Sequence, residues 1–391
     1  MKKRLFAAGM VFFLLVNIML PVSARAEENT DAKSLTVDAK SAILIERDTG
    51  KILFNKNEHE KLSPASMTKI MTLLLIMEAL EEGKLKLDEK LRISERAASM
   101  GGSQIFLEAG EEMSVEDLLK GIAVASGNDA SVALAERIAG SEQAFVKKMN
   151  EKAKELQLKN TKFQNSTGLP ADDHYSTAYD MAIMSKELLK HESVTTYTSI
   201  YEDYLRKGKE NEFWLVNTNR LVKFYPGVDG LKTGYTSEAK YCLTATAEKD
   251  DMRVIAVVMG ADSTKERNAQ VSQMLDYAFN HFQTKKLFKK GDKITELNLL
   301  KAENKITDVV ASESISTLYR RGESTDKITT DIRLVKDLNL PVKRGEKVGE
   351  LIVKNGDTIL SKSALTVEEP IQQASFLTLW KRTWQTLAKN E

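Results

Sequence analysis

The chain has 391 residues, 42% of them hydrophobic and 29% charged, with 57 Lys and Arg against 56 Asp and Glu. That length exceeds one compact core, so two domains are the default, and the composition is globular rather than disordered. A net charge of +1 makes no electrostatic case for nucleic acid.

The first 26 residues read as an export leader. Lys2, Lys3 and Arg4 make a basic start, LFAAGMVFFLLVNIML is an apolar run, and Ala24-Arg25-Ala26 supplies a small-residue cleavage site. An uncleaved membrane anchor is the other reading of the same run. Cleavage would remove four basic residues and no acid, leaving 53 against 56 and a net charge of −3. Export to an oxidising space often brings disulfides, yet Cys242 is the single cysteine and cannot pair within the chain. In YCLTATA it reads as a small buried thiol on a strand. His59, His174, His191 and His281 are scattered, without H-x-x-x-H or C-x-x-C spacing, so neither a zinc site nor another cofactor is expected.

In chain order, SAILIER and KILFNK flank Asp48-Thr49-Gly50 and predict a β-hairpin. In SPASMTKIMTLLLIMEAL, Ser63 can cap a helix and Pro64 suits its first position. The apolar run after Lys69 has the density of a core-facing helix. Ser66 and Lys69 then share one face of its first turn. Helical patterns continue to about Lys190. Ser114 with Asp117 resembles a capped start for VEDLLKGIAVA, and ASVALAERIAG resumes after SGND. GVDGLKTGY, KYCLTATA and MRVIAVVMGA predict strands, the last two joined by EKDD, and ERNAQVSQMLDYAFNHF predicts a closing helix. Strands at both ends of a helical block predict an α+β domain whose antiparallel sheet joins those ends, not a doubly wound parallel sheet.

Beyond about Lys286, pieces such as KKGDKI and KRGEKVGELIVKNGDTIL predict a small all-β domain. After Pro370, helical spacing gathers Phe376, Leu377, Leu379, Trp380, Trp384 and Leu387 on one side, with Lys381, Arg382 and Lys389 opposite. That pattern predicts a helix lying in a membrane surface; packing on its own domain or on a partner is the alternative. The segment is too short and too charged to span.

Three short motifs carry the chemistry. SxxK occurs at Ser66–Lys69, Ser237–Lys240 and Ser324–Lys327. Only the first opens an apolar helix, where the dipole favours negative charge on the serine oxygen and opposes positive charge on the lysine. A neutral lysine can activate a serine. On its own the pair is as open to a structural reading as to a catalytic one. Ser126-Gly127-Asn128 alone is ordinary turn chemistry, and Lys232-Thr233-Gly234 alone is an edge strand guarded by a lysine.

In order, and with SAILIERDTGKILFNKN, SPASMTKIMT, ASGNDASVALAE, FQNSTGLP, HYSTAYDMA and PGVDGLKTGYT around them, the motifs SxxK, SxN and KTG resemble the D-alanyl-D-alanine carboxypeptidases, the low-mass penicillin-binding proteins of bacteria. The resemblance covers residues 35–285; an all-β domain at 286–368 and an amphipathic helix at 370–391 fit that family's layout less specifically. It implies a penicillin-binding, serine β-lactamase-like domain. Ser66 would attack the carbonyl between two terminal D-alanines, and Lys69 would take the serine proton. Ser126 would relay a proton to the departing D-alanine, held by Asn128, which also contacts the peptide amide. Lys232 would lower the proton affinity of Lys69 and, with Thr233, receive the substrate carboxylate. Gly234 would let the substrate backbone lie against the strand, and the N–H groups of Ser66 and Tyr235 would form the oxyanion hole.

The partners implied are a peptidoglycan stem peptide ending in D-Ala-D-Ala, β-lactam inhibitors and the outer face of the cytoplasmic membrane. Apart from the resemblance, the chain has no G-x-S-x-G elbow and no histidine placed by motif beside a serine, which leaves a lysine-based mechanism open. His174 is expected to order its loop. One rival is a serine β-lactamase, whose class A form adds a glutamate base; TKFQNSTGLPA has no acid, and Asp172 and Asp173 come just after it. The other rival is an inactive wall-binding scaffold, against which the intact motifs argue.

Overall fold

β1 (Ser41–Glu46) and β2 (Ile52–Lys56) form the expected hairpin. The structure, a computed structural model, describes residue 35, residues 37–323 and residues 327–387. The expected leader, residues 324–326 of the third SxxK match and Lys389 lie outside the described residues.

The entrance to the first long helix differs from expectation. Ser63 does not cap it: Pro64 holds the cap position with no side-chain bond. A 3-10 turn, Ala65–Thr68, precedes α1 (Lys69–Glu81). Ala65 has a positive φ of 45°, so the backbone turns before the helix begins. Packing explains the tight turn, because Gly168 and Gly234 press on it from two sides. Helix α1 is buried nearly all round, as its mostly apolar sequence requires.

The helical block continues through the ribbon strand β3 (Lys90–Arg92), α2 (Glu95–Ala98) and β4 (Glu112–Ser114), which pairs with β3. Next come α3 (Val115–Ala125), α4 (Asn128–Ala139), α5 (Glu142–Glu155), α6 (Ala178–Leu188) and α7 (Val194–Thr198). The Ser114 hydroxyl accepts from the Asp117 N–H at 3.1 Å, as the capping pattern predicts. A hairpin absent from the sequence reading follows: β5 (Glu202–Leu205) and β6 (Phe213–Val216). Its strands have only four residues each and are joined by the charged stretch RKGKENE, so alternation never develops.

After α8 (Leu221–Phe224), the strands β7 (Val228–Thr236), β8 (Lys240–Lys249) and β9 (Met252–Ala261) lead to α9 (Thr264–His281). The sheet order is β2-β1-β9-β8-β7, antiparallel throughout, and β1 pairs with β9. The two ends of the block therefore share one sheet.

β10 (Phe282–Phe288) leaves α9 without a break, so the expected change of character at residue 286 falls inside this strand. Five further strands, β11 (Lys293–Asn298), β12 (Ile306–Ala311), β14 (Ile328–Leu334), β15 (Gly349–Asn355) and β16 (Thr358–Thr366), form an antiparallel sheet, while β13 (Ile315–Arg320) pairs with β10. Leu297, Val309, Leu351, Val353 and Leu365 belong to its separate core. The Ser316 hydroxyl, in β13, donates to Asp48 in the β1–β2 turn. The last described element is α10 (Phe376–Leu387). Among the described residues, no helix is long and apolar enough to cross a membrane.

Candidate active site

Where the 3-10 turn meets α1, Ser66 and Lys69 stand together. Lys69 is 0% exposed, and its Nζ lies 3.2 Å from Ser66 Oγ, 2.6 Å from Asn128 Oδ1 and 2.8 Å from the Thr167 carbonyl. Burial, then the like charge of Lys232, holds its pKa well below the ordinary lysine value; Asp129 opposes them. A neutral amine has two N–H bonds and one lone pair. In that form the carbonyls of Asn128 and Thr167 would take the two N–H groups and leave the lone pair for the serine hydroxyl.

Thr167 is held for this task by its own loop. Asn165 Oδ1 accepts from the N–H groups of Thr167 and Gly168 at 3.1 and 2.7 Å. A Cβ on Gly168, whose φ is +86°, would lie 1.8 Å from the Ala65 carbonyl oxygen and 2.9 Å from the Ser66 nitrogen. Only glycine lets the loop lie against the serine's backbone.

Ser126 ends α3 in the left-handed conformation, φ 64°, which aims the chain into α4. Its Oγ is buried and has no hydrogen-bond partner among the described residues. Asn128 behaves differently from expectation: its Oδ1 holds Lys69 and its Nδ2 donates to the Gly101 carbonyl at 2.6 Å. Its amide is fixed on lysine and loop rather than on Ser126. Next to it, Asp129 accepts from the N–H groups of Ile105 and Leu107, at 3.0 and 3.1 Å, fixing the 101–107 loop beside the motif.

Strand β7 supplies the third motif. Lys232 is 1% exposed, its Nζ donates to the Thr233 carbonyl at 3.1 Å, and burial followed by the Arg267 charge brings its pKa down to about 7. The Thr233 hydroxyl donates to Thr218 Oγ1 at 2.7 Å. A Cβ on Gly234 would meet the Pro64 carbonyl at 2.7 Å and Ala65 Cβ at 3.2 Å. Its smallness thus has a nearer cause than substrate passage: the strand must close on the serine's turn.

His174 takes no part in this cluster. Its Nδ1 accepts from the Gln164 N–H at 3.2 Å, so its Nε2 carries the proton and donates to Thr68 Oγ1 at 2.8 Å. Burial pushes its pKa down to about 4. The Ser237–Lys240 match is merely the β7–β8 turn, with Lys240 exposed at φ 57°. Cys242 is buried, and burial raises its thiol to about 11.

The model of the family described as D-alanyl-D-alanine carboxypeptidase matches residues 27–263, and that of the penicillin-binding protein 5 C-terminal domain matches residues 282–373. The chain belongs to the D-alanyl-D-alanine carboxypeptidase family. It is 56% identical over 374 residues to D-alanyl-D-alanine carboxypeptidase DacF of Bacillus subtilis, covering 95% of this chain and 96% of that one. Against DacC of Escherichia coli the identity is 34%, over 97% of this chain and 93% of the relative. Penicillin-binding protein 5 from Haemophilus influenzae superposes with a TM-score of 0.67 at 30% identity, covering 86% of this chain and 98% of that structure.

Within this carboxypeptidase the sequence motifs omitted several residues that build the site. Thr218 and Arg267 belong to no motif and reach it only through the fold. Asn165 and Thr167 stood in view in NSTG, whose Asx-turn composition was the available signal.

Proposed function

We propose that the chain releases the terminal D-alanine from peptidoglycan stem peptides through an acyl-enzyme on Ser66. The observation that carries this is the fully buried Lys69 amine, its proton affinity lowered by burial and by Lys232, 3.2 Å from Ser66 Oγ and held by the carbonyls of Asn128 and Thr167. Lys69 takes the Ser66 proton as Oγ bonds to the carbonyl carbon. The C–N bond then breaks, and the leaving amine receives a proton through the Ser126 hydroxyl. Water cleaves the ester and restores Ser66. The N–H groups of Ser66 and Tyr235 hold the oxyanion; such a donor is worth about 10²–10³ in rate. Lys232, Thr233 and the buried Arg267 make the positive environment that suits a terminal carboxylate.

β-Lactams would acylate Ser66 and leave slowly. The carboxylate packed on the NSTG loop, Glu142, accepts from Ser166 at 2.9 Å and pairs with Arg96 at 3.0 Å, so it is engaged elsewhere than on a deacylating water. The basic start, apolar run and Ala24-Arg25-Ala26 support export, and helix α10 supports peripheral attachment to the outer membrane face. Residues 35–285, 286–368 and 370–391 would then be the catalytic, all-β and membrane-associated portions. The test is mass spectrometry after brief penicillin exposure, with D-alanine release from a diacyl-tripeptide-D-Ala-D-Ala mimic measured in parallel. An adduct on Ser66 and no release by Ser66→Ala are expected; release surviving that substitution overturns the mechanism.

A further inference from the structure

Helix α10 is gripped through Arg382. Arg382 Nη1 donates to the carbonyls of Leu300 and Ala302 at 3.0 and 2.7 Å, and its Nη2 to that of Glu303 at 2.6 Å. All three belong to the turn between β11 and β12. The chain leading into the helix is stitched to the same turn: Ala374 N–H donates to the Lys301 carbonyl and Glu303 N–H to the Gln372 carbonyl, both at 2.8 Å. Arg382 projects about 160° around the helix from both Trp380 and Trp384. The grip therefore turns the tryptophans away from the domain.

What the grip leaves bare is apolar and basic together. Phe376, Trp380 and Trp384 are 79%, 57% and 58% exposed, and Leu300 on the gripped turn and Ile306 at the start of β12 are 68% and 57% exposed. Lys301, Lys305 and Lys381 are exposed among them, with Glu303 as the single acid of residues 299–306 and 376–387. We propose that the β11–β12 turn and α10 form one rigid foot that lays Leu300 and Ile306, together with the tryptophan face, into an anionic lipid surface. The inference rests on the reading that α10 lies in a membrane surface and adds that the β domain inserts with it. Exposed tryptophans mixed with lysines suit the boundary between headgroups and acyl chains. A second copy docked face to face would instead gather two sets of three lysines with only the Glu303 of each copy to offset them. So held, the helix is a fixed base for the β domain, not a tether.

The test uses full-length protein bearing one added cysteine, Leu300→Cys, Trp380→Cys or Asp357→Cys, labelled with a solvatochromic dye. Cys242 is buried, so the label goes to the added site. Asp357 lies in the β15–β16 turn, at the far end of the sheet from Ile306 by the antiparallel register of β12 with β16. D-alanine release from the soluble mimic checks that each variant is folded. With vesicles of mixed phosphatidylglycerol and phosphatidylcholine, brominated acyl chains should quench the dyes at 300 and 380 but not at 357. Pure phosphatidylcholine should bind about tenfold more weakly or worse. Adding Arg382→Gln should remove quenching at 300 while that at 380 persists. Quenching at 380 alone in the parent protein refutes the foot and leaves the helix reading standing; quenching at neither refutes both. Equal binding to neutral vesicles overturns the lipid assignment, and dye shifts that follow protein concentration without vesicles assign the face to a second copy.

Discussion

Two regions of this chain hold side chains against their solvation preference, in opposite senses. At the candidate active site two lysines, Lys69 and Lys232, are buried almost completely, and among the described residues no carboxylate pairs with either amine. On α10 the large apolar residues Phe376, Trp380 and Trp384 stand in water. Folding alone favours neither arrangement, since buried lysines are normally paired and exposed aromatic clusters normally mark contacts. The difference lies in what each arrangement acts on. The buried amines can alter chemistry at a point, whereas the bare aromatics can act only by covering a surface.

Removing a buried lysine should have the greatest consequence. Lys69→Met should cut penicillin acylation of Ser66 by about 10³-fold or more, since general bases contribute roughly 10²–10⁴. The melting temperature should stay within a few degrees, because the substitution also removes a desolvated amine. A collapse of stability would make the lysine a packing element. Stopped-flow acylation and calorimetry on the same sample decide between these outcomes.

Glycine substitutions sharpen the link between backbone and serine. Gly168 and Gly140 have φ of +86° and +82°, but a Cβ meets the Ala65 carbonyl at 1.8 Å in the first and nothing within 4 Å in the second. Gly140→Ala should therefore lose only the left-handed strain, about 1–2 kcal/mol by denaturant unfolding, and keep its acylation rate. Gly168→Ala should lose more stability and also slow acylation, because the Ser66 turn must move. Equal effects of the two would show that the loop does not position the nucleophile.

His174 tests burial without catalysis. Its pKa is about 4 in the folded chain and ordinarily near 6.5. The unfolded chain binds more protons between those values, so the contribution is complete above about pH 6.5 and is lost as pH falls toward 4. Over that window wild type should lose up to about 3 kcal/mol more than His174→Gln. Parallel curves for the two proteins would remove the histidine from the acid response.

Legibility followed the same division. The β1–β2 hairpin, the Ser114 cap and the sheet that joins β1 to β9 were readable because alternation and capping are local patterns. The three motifs named the centre, yet Ser63 offered a cap that the tight turn at Ala65 did not use. The family resemblance assigned the Asn128 amide to Ser126, whereas the fold turned it to Lys69 and Gly101. Arg267 was invisible, since its effect on Lys232 depends on α9 closing over the sheet. On α10 the apolar arc was plain from spacing, but Arg382, read there only as part of the polar face, is the grip on the β11–β12 turn.

The smallest expected effect concerns that exposed face. Trp384 makes a T-shaped contact with Trp380 at 6.0 Å and is otherwise largely in water. Trp384→Ala should thus leave both the melting temperature and D-alanine release from the soluble mimic unchanged. Burying such a side chain contributes roughly 1.5–3 kcal/mol, so vesicle affinity should fall at least about tenfold. Co-sedimentation with anionic vesicles measures it. If stability falls instead and vesicle binding does not, the tryptophan packs against protein in solution, and the contrast between the two regions reduces to the buried lysines alone.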